Sequence, residues 1–132
     1  MSSTDIILRL TYPNPEHTRL VLEAFEFWPH IRQKHGFPTP EQIELTESRM
    51  KALGYYTPQL FNYTLFDPSC ILEYPASLEG DCIKLDFYCS KTESDDFWNV
   101  VFDELSALPV KIDGYYHCDM SDYEQKRTVV YD

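Results

Sequence analysis

The chain has 132 residues, nine prolines and four glycines, with 43% apolar and 15% aromatic residues, which suits one domain over 1–132 with an ordinary core and excludes disorder as its main state. Twenty-two acids against eleven bases give a net charge of −11, a field that repels phosphate backbones and anionic membranes, so no direct nucleic-acid or membrane partner is expected. No apolar run approaches the ~18 residues that span a bilayer, and the first residues lack a basic segment followed by an apolar one, so the expected location is the cytoplasm.

Asp5 to Tyr12 puts Ile6, Leu8, Leu10 and Tyr12 on one face and Arg9 and Thr11 on the other, the alternation of a half-buried strand. Asn14-Pro15 reads as an N-cap followed by a first-turn proline. The helix carries Leu20, Val21, Ala24, Phe25, Trp28 and Ile31 along one stripe, with Pro29 expected to kink it or end its first part. Thr39-Pro40-Glu41-Gln42 opens a second helix with Gln42 at the capping-box position. It runs to about Leu53, stops at Gly54, and with only Ile43, Leu45, Met50 and Leu53 apolar is expected on the surface.

From Tyr55 to Tyr74 aromatic and β-branched residues predict two short strands, about Leu60–Phe66 and Cys70–Tyr74, joined by a turn at Asp67-Pro68-Ser69. Pro75 to Asp81 reads as a second turn. Cys82 to Cys89 alternates Ile83, Leu85, Phe87 and Cys89 against Lys84, Asp86 and Tyr88, a strand. Ser94-Asp95-Asp96 opens a third helix with a capping hydroxyl and two carboxylates at the positive end of the dipole. Its buried stripe is Phe97, Trp98, Val101, Phe102, Leu105 and Leu108, and Asp96, Asn99 and Asp103 point outward. Val110 to Cys118 alternates again, with Asp113, Tyr115 and His117 outward. A polar turn, Asp119 to Lys126, leads to a last short strand at Thr128–Tyr131. The order β-α-α-β-β-β-α-β-(β) predicts an α+β fold: a two-layer sandwich of ferredoxin-like logic with additions, a mostly antiparallel sheet with helices on one face.

Few residues offer chemistry. The cysteines, Cys70, Cys82, Cys89 and Cys118, form no C-x-x-C pair, and without an export signal they are expected to be reduced, mostly buried thiols. Of the four histidines, His117 precedes Cys118 directly, so in a strand the two side chains point to opposite faces and form no nucleophile–base pair. His30 and His35 are five apart, not the three or four that align ligands on one helix face. His117, Asp119, Asp122 and Glu124 lack calcium-loop spacing and the glycine of its sharp turn. Asp113 with Glu124-Gln125-Lys126 has the skeleton of a metal-dependent nuclease site, but Glu124 falls in a predicted turn and the surrounding charge would repel the substrate. No enzyme activity, cofactor or metal is therefore expected.

The charge itself is unevenly placed. Residues 1–66 carry seven acids and six bases, residues 67–132 fifteen acids and five bases, so ten of the eleven excess charges lie in the second half. Asp95, Asp96 and Asp103 on the third helix, Asp113, Tyr115 and His117 on the next strand, and Asp119, Asp122, Tyr123 and Glu124 in the following turn form the candidate partner-binding set. Fixed negative charge steers a basic partner, and tyrosine supplies contact area with a polar handle.

In size, charge and architecture the chain resembles the small acidic immunity proteins of bacterial toxin systems. The resemblance implies a non-enzymatic inhibitor that neutralises a cognate basic toxin, such as a nuclease, through an acidic, tyrosine-containing face. Two alternatives stand beside it: a small-ligand binder or enzyme with an aromatic pocket around Trp28, Tyr55 and Tyr56, and a nucleic-acid mimic that inhibits a DNA-binding protein.

Overall fold

The computed structural model describes the backbone of residues 3–32, 37–118 and 123–129, and the side chains of these residues other than 3, 90–93, 123–126, 128 and 129. β1 (Ser3–Thr11) is the central strand of an antiparallel sheet, flanked by β4 (Cys82–Ser90) on one side and β5 (Lys111–Cys118) on the other. β6 (Tyr123–Val129) lies outside β5, and the short strands β2 (Cys70–Leu72) and β3 (Ser77–Glu79) share the outer edge of β4 end to end. Alternation fixes which face is buried: Ile6, Leu8, Leu10, Ile83, Leu85, Phe87 and Ile112 are all 0–2% exposed.

The helices cover that face alone. α1 (Pro15–Ala24) starts where the sequence predicts, with Asn14 accepting from the His17 N–H at 2.8 Å, and α2 (Pro40–Leu53) carries the full capping box. α2 ends at Gly54, whose φ of 80° supplies the left-handed cap glycine adopts without strain. It packs on α1 and, as expected of a thin apolar stripe, buries little besides Thr46 and Met50. α4 (Lys91–Ser106) crosses over β1 to join the parallel pair β4 and β5, a split β-α-β arrangement. Its inward Phe97 and Trp98 meet Phe87 and Tyr116 with ring centroids at 5.0 and 5.6 Å. The α+β class, the antiparallel sheet and the one-sided helix layer are as the sequence predicts.

Five local expectations are corrected. Leu60–Phe66 is not a strand: Pro58–Phe61 forms the short helix α3, and Asn62–Phe66 continues it as a π-helical turn. Its buried residues, Leu60, Phe61, Thr64 and Leu65, follow helical spacing, and Glu104 caps it by accepting from the Gln59 and Leu60 N–H groups. α1 ends at Ala24, a 3₁₀ turn follows over Phe25–Phe27, and Pro29 sends the chain out extended, so that Ile31 donates to the Leu72 carbonyl and is itself half exposed. Ser94 is no cap, because α4 begins at Lys91; it is buried inside the first turn against the Tyr116 hydroxyl at 3.2 Å. The Pro75–Asp81 segment contains β3, closed onto β4 by a tight turn at Gly80-Asp81. The last strand starts at Tyr123, so Tyr123 and Glu124 belong to a strand and not to a turn.

The cysteines also differ from expectation. Cys70 and Cys89 lie directly opposite each other on β2 and β4, Cα atoms 4.3 Å apart, and are joined as a buried disulfide. Cys82 is a half-buried thiol on β4, and Cys118 is buried at the end of β5.

Candidate functional site

The face of the sheet opposite the helices carries the candidate site. Strand register orders it into rows running from the β2/β3 edge towards β5. One reads Ile71, Tyr88, Asp5, His117; the next Glu73, Asp86, Ile7, Tyr115; the third Ser77, Lys84, Arg9, Asp113. Each is an outward position of a strand whose alternate residues fill the core, so the pleat alone brings them together. Tyr88 is 37% exposed, Ile7 and Tyr115 are half-buried, and the Tyr115 and His117 rings lie nearly parallel at 6.5 Å.

Charge on this face is sorted into two groups. Arg9, Glu79 and Lys84 form a linked set, with Arg9 Nε 2.8 Å and Lys84 Nζ 3.8 Å from the Glu79 carboxylate, and the Arg9 hydrogen bond holds Glu79 below the usual carboxylate range. Asp5, Glu73 and Asp86 sit beside it with carboxylate oxygens all within 4.8 Å of one another. Burial first, then the neighbouring Glu73 and Asp5 charges, push the Asp86 carboxyl above its ordinary range, against the weaker pull of Lys84 and Arg9. Three oxygen donors could hold a divalent cation only with water completing its shell, since calcium takes six to eight oxygens. A cleft of about 400 Å³ opens next to Asp86, walled by Tyr74, Pro75, Ser77 and Lys84. Arg32 stacks over the Tyr74 ring at 4.5 Å.

Of the residues singled out from sequence, this face takes Asp113, Tyr115 and His117, together with the Glu124 position, which is paired with His117. Asp95, Asp96 and Asp103 lie on α4, exposed and across the sheet from them, so the ten do not form one surface. Their places are also partly structural: Asp95 accepts from the Tyr116 hydroxyl at 2.7 Å, and Asp103 pairs with Arg127 at 3.3 Å. Asp119 and Asp122 lie outside the described residues. Tyr123 and Glu124 stand opposite Cys118 and His117 on β6. Asp113 pairs with Thr128, four positions from His117, so Asp113 and Glu124 are about 13 Å apart along the strands. That is too far for two carboxylates to share one metal ion, which removes the nuclease skeleton on geometry as well as charge. Asp5, Glu73 and Asp86 are not among those candidates; they come from β1, from the residue that follows β2 and from β4. Asp5 and Asp86 were visible as outward positions, but only register makes them neighbours.

The aromatic pocket expected around Trp28, Tyr55 and Tyr56 is core instead. Trp28 donates to Thr64 Oγ1 at 2.9 Å, Tyr55 packs on Tyr12 and bonds His17, and Tyr56 donates to Glu47 at 2.8 Å. A second cleft of about 420 Å³ lies elsewhere, between the start of α1 and the β3–β4 turn, with Tyr12, Pro13, Leu22 and Leu78 as its apolar wall. The half-exposed Cys82 thiol is pushed up by burial and by Glu79 and Asp81, which keeps it protonated and a poor nucleophile. No helix among the described residues is long and apolar enough to cross a membrane. Against protein-family models, curated proteins and solved structures, the chain finds no match.

Proposed function

We propose that the chain is a non-enzymatic protein-binding protein of the immunity type, which neutralises a basic partner such as a toxin nuclease on the uncovered face of its sheet. One observation carries this: Tyr88, Tyr115 and Ile7 are set among Asp5, Glu73 and Asp86 on a sheet face that no described helix covers. Burial of Asp86, and then its neighbours Glu73 and Asp5, raise its pKa and so cost the fold at neutral pH, and a basic side chain laid over it would relieve that cost. The net charge of −11 steers such a partner from a distance, and the tyrosines anchor it once water is excluded. Arg9 and Lys84 interrupt the acids on this face, so its carboxylates do not form the extended row that a nucleic-acid mimic presents. The apolar cleft at Tyr12 and Leu78 favours a second, small-ligand reading, with an apolar ligand of modest size as its occupant.

We place the chain in the cytoplasm in this role, although the Cys70–Cys89 disulfide favours an oxidising compartment; labelling thiols in intact cells before lysis decides between them. The function is tested by recovering the tagged chain from its host at low and at high salt. A basic protein held at low salt, released by salt and inhibited in its own activity by the purified chain supports the proposal. A bound metabolite, or a partner that is acidic and insensitive to salt, overturns it.

A further inference from the structure

β6 ends the sheet: its inner edge pairs with β5 from Ile112↔Val129 to Cys118↔Tyr123, and no described residue pairs with its outer edge. An edge of this length presents a row of backbone donors and acceptors to any strand that can match it. Its sequence, Tyr123-Glu124-Gln125-Lys126-Arg127-Thr128-Val129, decides which strand that is. We infer that the occupant is a second copy of this chain, the two β6 strands running antiparallel about a two-fold axis at Gln125.

A two-fold axis perpendicular to a sheet sets one residue opposite its own copy and pairs the positions on either side of it reciprocally. Centred on Glu124, Lys126 or Arg127, the axis would place identical charges directly across from each other, which destabilises a strand pair. Centred on Gln125, it sets amide against amide and Glu124 against Lys126 twice, with Tyr123 against Arg127. Opposite charges directly across a strand pair stabilise it, and a contact that is the same patch on both copies closes at two. Glu124 and Lys126 stand opposite His117 and Tyr115 in the β5 register, so both charge pairs fall at positions of the uncovered face, and pairing joins two such faces into one. The dimer goes beyond the binding reading above and does not depend on it. A single strand pair is small beside a standard interface, so the expected Kd is roughly 10–100 µM.

Sedimentation equilibrium of the full chain from micromolar to near-millimolar concentration tests this, with Glu124→Lys, Lys126→Glu and the double exchange compared. Each single reversal is expected to weaken the dimer by about tenfold or more, and the double exchange to restore it, because only the double regains opposite charges across the axis. Circular dichroism checks that each variant folds. Should a reversal unfold the chain, Gln125→Cys gives an independent readout: oxidation is expected to yield a 125–125 cross-link identified by peptide mass. A chain that stays monomeric throughout, a dimer indifferent to both single reversals, or cross-linking of Gln125→Cys only to Cys82 would overturn the inference.

Discussion

Gly114 tests how closely α4 rests on the sheet. A Cβ added there would lie 2.7 Å from Phe102 Cε2, 2.8 Å from Trp98 Cη2 and 3.2 Å from Trp98 Cζ3. Unstrained carbon contacts sit near 3.5–4.0 Å, so the new methyl overlaps two rings by roughly 0.8 Å. Neither ring has room to swing: Trp98 is 3% and Phe102 1% exposed, and the Arg127 guanidinium covers Phe102 at 4.2 Å. Relief therefore requires α4 to lift from β5. Replacing glycine stiffens the unfolded chain and gains about 0.4–1 kcal/mol, while overpacking costs about 1–3 kcal/mol. Gly114→Ala should lose about 1–2 kcal/mol net, and Tm should fall by roughly 3–10 °C. Urea unfolding followed by the fluorescence of the two buried tryptophans, Trp28 and Trp98, measures it. Adding Phe102→Leu to Gly114→Ala should recover part of the loss by making space. A Gly114→Ala chain as stable as the parent, or more so, would refute the close seating of α4.

Three further outcomes follow from named contacts. Thr39→Ala removes the hydroxyl that accepts from the Gln42 N–H at 3.2 Å and should cost about 0.5–2 kcal/mol; amide exchange should quicken in the first turn of α2 and stay unchanged in β1. Thr64→Val leaves the buried Trp28 indole N–H, now bonded at 2.9 Å, without its acceptor, at a cost of about 1–3 kcal/mol. Urea midpoints should show a smaller loss for Thr64→Val when Trp28 is already phenylalanine. Asp86 has a folded pKa raised by burial and by Glu73 and Asp5, so the fold loses stability as pH rises through and above the unfolded value of about 3.9. Asp86→Asn should therefore stabilise the chain at pH 7, by less than about 1 kcal/mol because the group is half in water. That gain should fade as pH falls through about 4 and vanish by about pH 3, where both states are mostly protonated, and a gain that persists unchanged at pH 3 contradicts the stated cause.

Sequence periodicity was enough for the long elements. β4 and β5 alternate without interruption, and the α2 start is written in Thr39-Pro40-Glu41-Gln42. Asn62–Phe66 failed because Tyr63, Thr64 and Phe66 have high strand propensity, while Trp28 and Glu104, which hold the helical turns from outside, are distant in the chain. The stretch from Asp119 to Lys126 is mostly polar and so reads as a turn that takes in Tyr123 and Glu124, yet an edge strand tolerates polar residues on its exposed side. The candidate site was legible only in part. Alternation tells inside from outside, but α4 and β5 have different outsides, on opposite sides of the molecule. Asp103 and Asp113 share a sign and a stretch of sequence and still face apart. Asp5, Glu73 and Asp86 meet only through the β1–β4 and β2–β4 registers, which residue type does not specify.

The binding face is tested most directly by association kinetics with the basic protein recovered at low salt, measured against ionic strength for substitutions on the two sides of the sheet. Glu73→Lys and Tyr88→Ala should weaken binding by about 10–100-fold, with Glu73→Lys also flattening the salt dependence of the association rate. Asp96→Lys and Asp103→Lys, on the outer side of α4, should leave affinity within about threefold, as rim charges do. Loss of binding on the α4 side with the sheet-side variants unaffected would contradict the assignment of the uncovered sheet face.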